Sequence, residues 1–153
     1  MTQPAGFRHS MEPWTQHQRE LRIPTRGQGM HDISTEIVDV VEESGVKTGL
    51  CTVFISHTSA SLTIQEGADP DARRDLEAFI ARLVPEGDPH YTHTAEGPDD
   101  MPSHIRSALT ATSLSIPVTS GRLALGTWQH VFLWEHRRRG SSRRVFVHVL
   151  GTS

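Results

Sequence analysis

Three histidines define the chemistry this chain can do. His57 follows an apolar run, His93 lies among acids and prolines, and His104 comes eleven residues after it. Imidazole and carboxylate are the ligand types of zinc and similar divalent ions, and both serve as general acids and bases. The stretch Tyr91 to Arg106 holds His93 and His104 together with Glu96, Asp99 and Asp100. Packing a core requires no such mixture. His57, His93 and His104 are therefore expected to meet at a divalent, zinc-like metal centre or at a proton-transfer site. Three histidines from three separate elements match a catalytic zinc site that keeps a further position for water. Their gaps fit no zinc-finger spacing, so three surface histidines remain the plain alternative.

Glu96, Glu135 and Asp100 are the candidate catalytic acids. Asp100 precedes His104 by four positions, so within a helix the two share a face and the carboxylate can steady the imidazole. Asp99 or Asp100 also suits a helix cap. Glu96 and Glu135 are candidate proton carriers, with solvation as the ordinary role for Glu96. In His57-Thr58-Ser59-Ala60-Ser61, the Thr58, Ser59 and Ser61 hydroxyls can receive a phosphate or carboxylate, or else satisfy a polar turn. Gln129 and Arg137 complete the candidate substrate-binding set. The arginines around Gly140-Ser141-Ser142 read as a solvated hairpin tip, Arg137 excepted because it adjoins Glu135-His136.

These residues need rigid elements to position them. Residues 14–23 read as a first strand with Trp14, Leu21 and Ile23 inward. A helix over 33–44 is capped by Asp32 or Ser34, turns Ile33, Ile37, Val40, Val41 and Ser44 to one face, and stops at Gly45. Residues 49–56 form a near-continuous apolar run that reads as a strand buried on both faces. A short strand over 61–65 follows. Asp69-Pro70 starts a helix whose buried face is Leu76, Phe79, Ile80 and Leu83. Residues 85–100 are loop by composition, and a loop of that length inside a compact domain is usually functional or disordered. A helix from 101 or 102 to 111 carries His104. The C-terminal third is β-rich: a strand over 114–119, a long strand or strand pair over 122–136 with Gly126 as a bulge, and a strand over 143–150. Even spacing sets Trp128, Phe132 and Trp134 on one face and Gln129, Val131, Leu133 and Glu135 on the other. Strands and helices that do not strictly alternate indicate an α+β fold.

The chain has 153 residues, enough for one domain with a real core, and 15 Lys+Arg against 18 Asp+Glu give a net charge of −3, which argues against general nucleic-acid binding. A polar extension over residues 1–13 precedes a single domain over 14–153. No run approaches the ~18 apolar residues of a membrane span. The single cysteine, Cys51, forms no internal disulfide, and a reducing, cytoplasmic setting is the simplest expectation.

Five segments in register carry a family resemblance: His57-Thr-Ser-Ala-Ser-Leu-Thr-Ile, Asp69-Pro-Asp-Ala-Arg-Arg-Asp-Leu-Glu, Glu96-Gly-Pro-Asp-Asp-Met-Pro-Ser-His-Ile, Gly126-Thr-Trp-Gln and Glu135-His-Arg. Together they closely resemble the YjbQ-like family, often labelled secondary thiamine-phosphate synthase, over roughly residues 14 to 151. The resemblance implies a β-sandwich core with helices, a homotrimer with sites near subunit interfaces, and a histidine-rich pocket formed by His57, His93 and His104. Ser59 and Ser61 would lie nearby, with Glu135 and Arg137 as pocket members. It also implies a small phosphorylated metabolite as partner and a transferase that joins a pyrimidine diphosphate to a thiazole phosphate, releasing pyrophosphate. The alternatives are a metal-dependent hydrolase or lyase and a non-enzymatic metal- or metabolite-binding trimer. His130 departs from the pattern, standing where the family usually has glycine.

Overall fold

Val145, Val147 and Val149 alternate with polar or partly exposed neighbours, and the strand they define is the backbone of the molecule. In the computed structural model, which describes residues 13–153, all three are fully buried. They lie on β8 (Ser142–Thr152), which pairs antiparallel with β1 (Thr15–Pro24) on one side and β3 (Thr48–Ile55) on the other. Beyond β3 come β5 (Ser113–Thr119) and the short β6 (Arg122–Leu123), giving a five-stranded sheet in the order β1-β8-β3-β5-β6. A second sheet has the order β2-β7-β4, from β2 (Gly29–Asp32), β7 (Gln129–Glu135) and β4 (Ala60–Glu66).

The two sheets share one core. Cys51, Val53, Ile55 and the β8 valines of the larger sheet cluster with Ala60, Leu62, Val131 and Leu133 of the smaller. The helix α1 (Ser34–Ser44) adds Ile37, Val40 and Val41 to the same cluster and ends at Gly45, whose φ of 69° is the left-handed stop that glycine favours. On its other face the smaller sheet carries Met30, Phe132 and Trp134, covered by Leu76 and Ile80 of α2 (Pro70–Leu83). The alternation along β7 is thus as its spacing requires, with one face in each cluster. Each fully buried aliphatic or aromatic side chain contributes about 1.5–3 kcal/mol of transfer free energy.

Several expectations need correction. The strand over 49–56 is half exposed: Leu50 and Phe54 alternate outward at 43% and 45% exposure, because among the described residues no element covers that face of the larger sheet. Trp14 precedes β1 and is exposed, leaving Leu21 and Ile23 as its inward residues. β2 falls between the expected strand over 14–23 and the expected helix over 33–44, where no element is anticipated. The stretch 122–136 is two strands in two different sheets, and Gly126 closes the turn between them by accepting from the Gln129 N–H. On α2, Asp69 caps through the Asp71 N–H at 2.9 Å, as Asp69-Pro70 implies, yet Phe79 and Leu83 face outward. The extension expected over residues 1–13 lies, save Pro13, outside the described residues.

Candidate metal centre

The third helix, α3 (Asp100–Leu109), starts where the acid-rich loop ends. Asp99 occupies its N-cap position without capping, because its Oδ2 instead accepts from Arg137 Nε at 3.1 Å and from the Arg138 N–H at 3.0 Å. Asp100 is the hub. It is 1% exposed, and its two oxygens have separate duties. Oδ1 accepts from Arg137 Nη1 at 2.6 Å, while Oδ2 faces His93 Nε2 at 2.7 Å and His104 Nε2 at 3.3 Å. The His93 and His104 rings lie 5.3 Å apart. One ligand atom from each of His93, Asp100 and His104 falls within 4.8 Å of the others, the one such cluster among the described residues.

Burial opposes ionisation of Asp100, but the His93 hydrogen bond and the charges of His104 and Arg137 outweigh it and hold the carboxyl below its ordinary range. The His104 ring is fixed on its far side as well, since Nδ1 lies 2.8 Å from the Thr58 carbonyl. A carbonyl only accepts, so Nδ1 carries the proton, and a neutral ring presents a bare Nε2 to the Asp100 carboxylate. That is the outer bond that orients a metal-ligating histidine. Two lone pairs facing each other repel, and a cation between them, or a proton on Nε2, removes the repulsion. The donor set therefore fits a divalent ion of mixed nitrogen and oxygen preference.

Asp100 stands in the cluster where His57 was expected. His57 lies beside it but is turned away: its Nε2 accepts from the Arg144 N–H at 2.8 Å, and Nδ1 lies 3.3 Å from Arg143 Nη1. Burial and the neighbouring Arg143 charge push its pKa down. The reason is register, because β8 brings the Arg143–Arg144 backbone against the end of β3. Glu135 is also no free base. Fully buried, it accepts from Thr25 Oγ1 at 2.7 Å, from Arg143 Nε at 2.8 Å and from Arg143 Nη2. Burial alone would raise its pKa, but Arg143 and Thr25 win and hold it low. Arg143 was grouped with a solvated hairpin tip, and it is 5% exposed. Ser61 is fully buried with Oγ 2.8 Å from His136 Nε2, out of reach of a substrate. Gln129 sits at the far end of β7 from Glu135, about 20 Å away at ~3.4 Å per residue, with Oε1 on the Gly126 N–H at 2.7 Å.

The remaining candidates do border the centre. Thr58 and His104, with His57, Ser107, Ala108 and Thr112, line an open cleft of about 460 Å³. On the other side of the His57–Arg143 contact, Ser59, Arg137, Arg139 and Arg143 line a basic pocket of about 330 Å³. Ser59 Oγ accepts from Arg143 Nη2 at 3.0 Å. Glu96 is exposed and contributes its carbonyl to Arg137 Nη2 at 3.0 Å. His130 is tied down elsewhere, with Nδ1 2.6 Å from Asp32 Oδ2 and its ring over Gly67, where a Cβ would stand only 2.2 Å from the imidazole.

An α+β sandwich of a five- and a three-stranded antiparallel sheet, with a His-Asp-His cluster at the start of its third helix, defines the class. The chain belongs to the UPF0047 protein YjbQ-like family, whose sequence profile matches residues 19–152. It is 60% identical over 142 residues to the UPF0047 protein sll1880 of Synechocystis sp., covering 93% of this chain and 97% of that one. It is 43% identical over 136 residues to the UPF0047 protein YjbQ of Escherichia coli O157:H7, covering 88% and 98%. Among solved structures, a YjbQ/UPF0047-family protein of Clostridium acetobutylicum superimposes with a TM-score of 0.76 at 35% identity, over 86% of this chain and 98% of that one. Among the described residues no helix is long and apolar enough to cross a membrane.

Proposed function

We propose that the chain is a metal-dependent enzyme acting on small phosphorylated metabolites, with a divalent ion held by His93, Asp100 and His104. The observation that carries this reading is the convergence of His93 Nε2 and His104 Nε2 on one oxygen of the buried Asp100 carboxylate, with His104 Nδ1 held 2.8 Å from the Thr58 carbonyl. Two imidazoles and one carboxylate suit zinc, manganese, iron or cobalt better than magnesium, which prefers oxygen ligands and water. A bound ion of this kind supplies Lewis acidity toward a phosphoryl oxygen and acidifies water.

The chain's own residues divide the remaining work. Arg137 orients Asp100 and, with Arg139 and Ser59, lines the basic pocket that suits a phosphate or diphosphate. Thr58, Ala108 and Thr112 wall the cleft that suits the organic part. The family resemblance favours thiamine-phosphate synthase-type transfer. There the carbon–oxygen bond of a pyrimidine methyl diphosphate breaks, pyrophosphate leaves with the bonding pair, and the thiazole nitrogen bonds the methylene carbon. The arginines receive the leaving charge. Glu96, which among the described residues forms no ion pair like those that engage Glu135, Asp99 and Asp100, supports a second reading in which the site hydrolyses a phosphoester and Glu96 carries the proton.

The same proposal takes the working unit as a homotrimer in a cytoplasmic setting, away from nucleic acid and membrane. The outward row of Leu50, Phe54 and Leu150 on the two central strands supports association of copies. The fully buried thiol of Cys51, the only cysteine, is consistent with a reducing compartment. Protein purified without a histidine tag is expected to hold roughly one zinc or manganese ion per chain, and to release pyrophosphate from pyrimidine diphosphate with thiazole phosphate, or phosphate from a phosphoester panel. Metal content unchanged by His93→Ala and His104→Ala would remove the metal reading. Full metal without turnover of either substrate set would remove the enzymatic one.

A further inference from the structure

A second polar cavity lies on the other side of the three-stranded sheet from the shared core. It holds about 210 Å³ between α2, α3 and β7 and is lined by Glu77, Ile80, Ala81, Arg106, Trp134 and His136, among others, with Glu135 also in the wall but its charge already matched by Arg143. Its chemistry is unusual for the gap under a helix. Arg106 is 6% exposed, yet only its Nη2 is matched, donating to the Val84 carbonyl at 2.7 Å. Its Nε has no partner among the described residues. The acids whose charges act on it, Glu86 and Asp99, are paired with Arg138 and Arg137 instead. A guanidinium so buried and so poorly matched is costly to leave as it stands.

Across the same cavity stands Glu77, whose Oε1 accepts from the Met30 N–H at 2.8 Å and which forms no ion pair among the described residues. His136 adds a polar but uncharged surface, since burial pushes its pKa down to about 3 and its Nε2 is engaged with Ser61. Trp134, Ile80 and Ala81 supply apolar wall, with the Trp134 and His136 rings 5.5 Å apart. A simple anion would meet Arg106 but be repelled by Glu77, and a simple cation the reverse. A molecule carrying both charges satisfies both. The cavity is roomy enough for several waters, or for a small amino acid in their place.

We infer that this cavity is a binding site for a small zwitterion of the α-amino-acid class, its carboxylate on Arg106, its ammonium on Glu77 and its side chain against Ile80, Ala81 and Trp134. The site does not use the His93-Asp100-His104 cluster, so it stands or falls independently of the metal reading.

The test is isothermal titration calorimetry on the full chain with L-alanine, L-valine and L-leucine. Isobutyrate and isobutylamine serve as single-charge counterparts, and EDTA is present throughout. At least one amino acid is expected to bind with one site per chain, more than tenfold tighter than either counterpart. Glu77→Gln keeps an acceptor for Met30, and Ala81→Phe fills the cavity from an exposed position. Each is expected to weaken binding at least tenfold while circular dichroism and melting stay as in the parent. No heat from any amino acid, isobutyrate or isobutylamine binding as tightly as the amino acid, or both variants binding like the parent would overturn the inference.

Discussion

Replacing Asp100 with asparagine tests the centre most directly, because the two oxygens of this side chain are engaged by different partners. Oδ1 receives Arg137 Nη1 at 2.6 Å. An asparagine must keep its oxygen there, since turning its NH₂ toward a guanidinium would set donor against donor. The NH₂ then faces His93 and His104, where Asp100 Oδ2 lay 2.7 and 3.3 Å from their Nε2 atoms. An amide nitrogen with two hydrogens is no metal ligand. The cluster falls from three donors to two and loses its only negative charge. Loss of a whole charged donor is expected to weaken zinc binding at least ~100-fold, or about 2.7 kcal/mol. Competition against a chromophoric chelator at pH 7 reads this directly. His57→Ala provides the contrast: with both ring nitrogens turned to Arg143 and Arg144, its removal should change affinity no more than ~threefold, or about 0.6 kcal/mol. Zinc affinity in Asp100→Asn within threefold of the parent, or an equal loss in His57→Ala, would refute the assignment of these three donors.

Other consequences are open to measurement. Glu135→Gln leaves buried Arg143 without its counter-charge, so urea denaturation should show a loss of about 3–5 kcal/mol; a loss under 1 kcal/mol would mean the pair is not desolvated. His136, neutral in the fold with a pKa near 3 against 6.5 in the unfolded chain, gives stability that is complete above pH 6.5 and lost as pH falls toward 3. About 2 kcal/mol should go between pH 7 and 5, at 1.36 kcal/mol per pKa unit, and His136→Asn should flatten that slope in denaturant titrations at each pH. His130→Gly is expected to lose the Asp32 pair and the packing over Gly67 at a cost of about 1 kcal/mol while leaving zinc affinity unchanged. Altered affinity would place His130 in the site after all.

Much of the frame follows from local pattern. The helix over Ser34–Ser44 has its apolar face at Ile37, Val40 and Val41, and Asp69-Pro70 starts the next helix with its own cap. The parity of Phe132 and Trp134 against Val131 and Leu133 sorts β7 between two clusters. What fails is whatever depends on partners distant in the chain. β2 has one apolar residue, Met30, and exists because β7 pairs with it. Phe79 and Leu83 continue a helical stripe on α2 that the smaller sheet is too narrow to cover. Within the site, the four-residue step from Asp100 to His104 was visible and the structure does set the carboxylate against that imidazole, but its contact with His93 across the loop was not legible from spacing. His57 lies outside the cluster because Arg143 and Arg144, from eighty-odd residues away, engage its two ring nitrogens, and nothing near it in the chain announces them. His136 was overlooked, although its even spacing from Trp134 sets it on the same face.

The order of strands in the larger sheet has a consequence for how the molecule comes into being. Among the described residues β8 is the last strand, the only partner of β1 and one of two partners of β3. It also delivers Arg143 to Glu135 and the Arg144 N–H to His57. A nascent chain therefore presents the complete His93-Asp100-His104 segment to solvent while the sheet behind it is still unpaired. Synthesis at ~5–20 residues per second leaves several seconds between the emergence of His104 and that of the closing strand. During that interval His93, Asp100 and His104 are not yet backed by the closed sheet. The geometry that brings the three side chains together is therefore among the last features of the fold to be completed.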